Sequence, residues 1–165
     1  MKLHGHEQGS QYVISAHIGG MYAFSPLVGR YADRRGLIPA ILTGGLILVA
    51  STAMAALSGD IELLLFPALW GLGLGWNFGL IGGSSRLTSS VPAHERVAVQ
   101  GSADLLMSLC GGLAGFSSGF IRKALGYHLL ATSALIAAGG LLLIAYLAHL
   151  ETRRDQSQPV LEPAA

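Results

Sequence analysis

Three side chains stand out for their chemistry: Asp104, His17 and Asn77 each lie inside a long apolar stretch. Ionisable groups are expensive in hydrocarbon, so they face a cavity, a partner or the interface. Asp104 follows Gln100 by four residues and precedes Ser108 by four, with Gly112 next in the same register. That spacing puts a polar stripe on one helix face, suited to lining an aqueous path. A desolvated carboxylate can take up a proton near neutral pH. Asp104 is therefore a candidate proton acceptor or partner for a cationic substrate. The alternative is an interfacial carboxylate that pairs with Arg86 or Arg96. His17 is suited to proton shuttling or substrate binding, or to a plain bond with a neighbouring carbonyl. Asn77 can donate to a substrate or bond across to another helix. Trp70 and Trp76 could wall an apolar cavity or face lipid.

Other chemistry is missing from the sequence. His4 and His6 form an isolated pair near the N-terminus, read as solvated rather than as a metal site. No Ser/His/Asp constellation, zinc HExxH motif or phosphate-binding glycine loop is present, so neither an enzyme nor ATP-driven transport is expected, and no cofactor. The single cysteine, Cys110, excludes an intrachain disulfide and a CxxC zinc site.

The elements that must position these residues are membrane helices. Hydrophobic residues make up 52% of the chain and charged residues 12%, against roughly 25% charged in soluble domains, and the mean hydropathy is +0.55. The bilayer is the solvent that accepts such a chain. A net charge of +1 without a basic stripe argues against nucleic acid. Hydropathy predicts an all-α, polytopic transmembrane bundle with spans at about 11–29, 37–57, 61–83, 98–121 and 127–150. Residues 1–10 are expected as an extracytoplasmic tail without signal-peptide character, and 151–165 as a disordered cytoplasmic tail.

Loop charges set the expected orientation. Arg30, Arg34 and Arg35, then Arg86 and Arg96, then Arg153 and Arg154 fall on one side, the exception being Arg122–Lys123. The N-terminus is then outside and the C-terminus in the cytoplasm. Five spans in that orientation imply at least one upstream helix.

Gly71, Gly75, Gly79 and Gly83 recur at intervals of four in the third span, and Gly111, Gly115 and Gly119 in the fourth. Such ridges let helix backbones approach closely, either for static packing or for sliding between conformations. Pro26 and Pro67 should kink their helices, whereas Pro39 opens one at no cost.

Between the first two spans runs Gly29-Arg30-Tyr31-Ala32-Asp33-Arg34-Arg35-Gly36. As a short turn it would force an antiparallel pair, with Gly29 allowing close approach, Asp33 accepting from backbone N–H groups or pairing with an arginine, and Gly36 permitting the reversal. This segment resembles the G-x-x-x-D-R-x-G motif of the major facilitator superfamily, matched by Gly29, Asp33, Arg34 and Gly36. Leu37 and Ile38 stand where the family usually carries further basic residues. The stretch from His17 to Gly36 is similar to a bacterial subgroup of that superfamily. The resemblance implies a half-bundle lacking its first helix, the last five of twelve, with Gly29, Asp33, Arg34, Arg35 and Gly36 as a cytoplasmic gating motif. It implies a multi-pass plasma-membrane secondary transporter that moves a small solute by alternating access, coupled to protons. Its partners would be the lipid bilayer, the solute and the missing N-terminal half or upstream helices. The alternative is a non-transporting membrane fragment or helix-packing subunit.

Overall fold

The computed structural model describes residues 4–58 and 62–157. It is all helical: α1 His4–Tyr22, α2 Ser25–Arg35, α3 Leu37–Leu57, α4 Glu62–Ser89 and α5 Arg96–Ser157. Within α5 the backbone leaves helical geometry at Gly126 (φ 82°, ψ 172°), so the element is two arms joined at one residue. Only glycine takes that positive φ without steric penalty. Among the described residues, four segments are long and apolar enough to cross a membrane: Leu37–Leu57, Leu64–Ser89, Arg96–Ala124 and Thr132–Arg154.

The expected first span, 11–29, does not form as one helix. It is divided at Ala23–Phe24 between α1 and α2. Pro26 lacks an N–H and its ring crowds the carbonyl four residues back, that of Tyr22, where α1 ends. Once past the break, a proline in the first turn is harmless, and Pro26 sits there in α2. The flanks also differ from expectation. Helix begins by His4, inside the stretch read as a tail, and α5 continues past Leu150 to Ser157. Residues 158–165 and 1–3 lie outside the described residues.

The motif segment is likewise helical rather than a loop. Gly29 to Arg35 belong to α2, and Gly36 alone (φ 96°, ψ 161°) makes the turn into α3. α4 runs through Pro67 as one helix.

α4 packs against both α1 and α3, and α3 also packs against α5. The seams are made of small residues, because close backbone approach yields the dispersion contacts that hold helices together in lipid. At the α1–α4 crossing, a Cβ added to Gly20 would meet the Trp70 carbonyl at 2.5 Å, and one on Gly73 would collide with the His17 carbonyl. At the α3–α4 crossing, Gly44 and Gly75 oppose one another in the same way. Ala40 and Ala68 are fully buried between the helices. In the two arms of α5, Arg96–Ala124 and Thr132–Arg154, no residue of the apolar window is fully buried.

Candidate functional site

Three groups of polar residues result from this packing. The first lies at the α1–α2 break. Asn77 of α4 is 1% exposed. Its Nδ2 donates to the Gly20 carbonyl at 3.4 Å, and its Oδ1 accepts from Ser25 Oγ at 3.2 Å. Gly20 is in the last turn of α1, where carbonyls have no helical N–H to meet, and Ser25 opens α2. One amide thus spans both sides of the break. One turn earlier, His17 donates Nδ1–H to the Leu69 carbonyl at 2.7 Å. A carbonyl only accepts, so this bond requires a proton on Nδ1. Both residues make interhelix bonds, the alternative to a ligand role.

The second group is the cavity between α3, α4 and both arms of α5. It measures about 340 Å³ and is lined largely by apolar residues including Leu48, Trp76, Leu80, Met107 and Leu141. Its polar end is Ser84, Gln100 and Asp104. Gln100 Nε2 donates to Asp104 Oδ1 at 2.8 Å and lies 3.3 Å from Ser84 Oγ. Gln100 Oε1 is buried and finds no donor among the described residues. Among those residues Asp104 forms no ion pair with Arg86 or Arg96; its neighbour is an amide. The face of α5 turned to the cavity is Gln100, Ala103, Asp104 and Met107, the i, i+3, i+4, i+7 set of one helical stripe. Ser108, expected on that stripe, is exposed and does not line the cavity. Neither His17 nor Asn77 reaches it, so the three candidate residues do not form one site.

The third group is the motif. Asp33 is exposed and meets no arginine among the described residues. In a helix Arg34 and Arg35, directly following, point elsewhere. Nothing stands within 4 Å of a Cβ added at Gly29, so close approach is not its role in this structure. Tyr31, absent from the expected set, holds the segment down. Thr43 Oγ1 donates to the Pro39 carbonyl at 2.8 Å, which leaves Tyr31 Oη to donate to Thr43 Oγ1 at 3.0 Å. Its ring meets Phe78 edge-on, with centroids 5.4 Å apart. α2 is thereby fastened to α3 and α4 together.

The glycines divide similarly. Gly71 and Gly75 press on α3, and the Gly79 nitrogen would stand 3.0 Å from a Cβ on Gly44. Gly111, Gly115 and Gly119 face open space.

These observations define a multi-pass helical membrane protein with a half-open, largely apolar cavity and one exposed carboxylate at its edge. Comparison with known proteins supplies the family. The chain is 40% identical over 144 residues to the uncharacterized MFS-type transporter YdeG of Bacillus subtilis (strain 168), covering 86% of this chain and 32% of that protein. It is 37% identical over 140 residues to YddS of the same organism, another uncharacterized MFS-type transporter, covering 82% and 32%. It is also 33% identical over 126 residues to the riboflavin transporter RfnT of Brucella anthropi, covering 76% and 31%. The chain is homologous to MFS-type transporters and spans about a third of the length of these relatives. They are transporters, not enzymes. No family model matches the chain, and no solved structure does.

Proposed function

We propose that this chain is the C-terminal part, the last five of twelve helices, of a secondary transporter that moves a small solute by alternating access with proton coupling. The observation that carries the reading is an apolar cavity with a carboxylate, Asp104, at its polar end, in a chain 40% identical to an MFS-type transporter. In such folds substrate and coupling-ion sites lie where two bundles meet, and transport rocks one against the other. The exposed part of Arg96–Ala124, with its open glycines Gly111, Gly115 and Gly119, suits contact with the other bundle. We place Arg35, Arg86 and Arg153 on the cytoplasmic side, following the basic-residue rule.

The Gln100–Asp104 pair supplies a protonation device. Ionised Asp104 accepts from Gln100 Nε2, and Oε1 is left without a donor among the described residues. Protonated Asp104 is a donor, and a Gln100 amide turned over would present Oε1 to it, satisfying an acceptor that is costly to leave unpaired. Loading a proton on Asp104 would then reorganise the contact between α5 and Ser84 of α4. Trp76 in the cavity wall and the named activity of the Brucella relative make a planar heteroaromatic solute such as riboflavin the first to try.

The test is solute movement in vesicles bearing the full-length transporter, with and without an imposed proton gradient. Gradient-dependent movement of a solute supports the reading. A panel of heteroaromatic and cationic solutes, none of which moves or responds to the gradient, would overturn it.

A further inference from the structure

The end of α2, the start of α3, the end of α4 and the end of α5 meet around a basin of about 620 Å³. Arg35, Arg86, Arg153 and His149 line it with Thr152, and Leu37, Ile38 and Pro39 supply an apolar wall. No carboxylate is among its lining residues. Three guanidinium groups around one concavity repel each other, and an anion between them relieves that repulsion.

The disposition of the individual groups favours phosphate. Arg153 donates Nε–H to His149 Nε2 at 2.9 Å. That bond fixes the guanidinium and leaves both terminal nitrogens as a fork, the arrangement that matches two phosphate oxygens. Arg35 and Arg86 are exposed and carry no ion pair among the described residues. The Thr152 hydroxyl is turned back to the Ala148 carbonyl at 2.9 Å, so its oxygen closes the floor and does not compete for the arginines. No side chain caps the start of α3, so its first N–H groups add positive potential to the same basin.

Location decides the source of the phosphate. The basin sits where three membrane-crossing segments, Leu37–Leu57, Leu64–Ser89 and Thr132–Arg154, have their ends. That is the level of the lipid headgroups, where basic pockets between helices take anionic heads. We propose that Arg35, Arg86 and Arg153 form a binding site for the phosphate headgroup of an anionic phospholipid, whose first acyl carbons rest on Leu37, Ile38 and Pro39. The inference does not depend on what the protein transports.

Native mass spectrometry of the full-length transporter, delipidated and titrated with phosphatidylglycerol or phosphatidylcholine, tests it. The site predicts preferential retention of phosphatidylglycerol. Each arginine near a headgroup contributes about fivefold, so the double variant Arg86→Gln, Arg153→Gln should bind it about twenty-five-fold more weakly. The matching double lysine variant, which restores the charge but not the fork, should recover part of the difference, which separates loss of charge from loss of fold. Equal retention by wild type and the glutamine variant would overturn the proposal. So would displacement of the lipid by inorganic phosphate at equal concentration, which would make the basin a free-anion site.

Discussion

Gly44 and Gly75 face each other so closely that a Cβ on either would stand 2.9 Å from the other's carbonyl oxygen. The contact brings the backbones of α3 and α4 together without intervening side chains, and α4 in turn carries α1 and the side chain, Asn77, that bridges the α1–α2 break. This crossing fixes the depth of Trp76, Gly79 and Gly83 relative to Ile41 and Leu48, which are the facing walls of the cavity.

Gly75→Ala should therefore force the two helices apart and destabilise the protein by about 1–3 kcal/mol, the usual cost of overpacking a close contact. Gly115→Ala, on a face with nothing within 4 Å, should be close to neutral for the isolated chain. Thermal unfolding of the two variants in the same detergent compares them directly. Equal melting temperatures would show that the crossing tolerates separation.

Asn77→Ala removes the one side chain that joins Gly20 to Ser25 across the α1–α2 break. Two buried or half-buried polar groups lose their partner, at about 1–3 kcal/mol. The loss should appear as faster amide hydrogen exchange around residues 20–28, with little change in α3. Unchanged exchange there would mean that packing alone holds the break.

Tyr31→Phe deletes the donor to Thr43 but keeps the edge-on contact with Phe78. A loss of about 1 kcal/mol is expected, while Tyr31→Ala should cost more because the ring contact goes too. Denaturation midpoints for the pair separate the hydroxyl from the ring.

The proposed sidedness has its own check. In a chain with Cys110→Ala, a cysteine at exposed Ala93, in the turn before α5, should react with a membrane-impermeant maleimide only when the reagent has access to the cytoplasmic face. Labelling of intact cells at this position would reverse the orientation.

Much of this fold is legible in the sequence because hydrophobic length dominates a membrane chain. The apolar runs at 37–57 and 61–83 locate α3 and the start of α4, although α4 continues past the second run to Ser89, and the G-x-x-x-D-R-x-G segment by itself points to the family. The division of the first helix is harder to read. Pro26 reads locally as a bend within one span, yet it ends α1 at Tyr22, since the break is stabilised by Asn77 some fifty residues away. Long-range partners of that kind have no local pattern. The same holds for the site. Gln100 and Asp104 are readable as a pair four apart on one helix, but Ser84 joins them only through the packing of α4 on α5. Likewise, Arg35, Arg86 and Arg153 appear in sequence as separate loop charges, and only the meeting of four helix ends makes them a basin.

The account turns on Asp104, so proton-driven uptake by Asp104→Asn in vesicles is its most direct test. Asparagine keeps the size and the capacity to bond Gln100 but carries neither a charge nor an exchangeable acid proton. The account predicts a correctly folded protein that has lost gradient-driven accumulation and the pH dependence of transport, while downhill exchange of solute persists. Accumulation and pH dependence equal to wild type would contradict it.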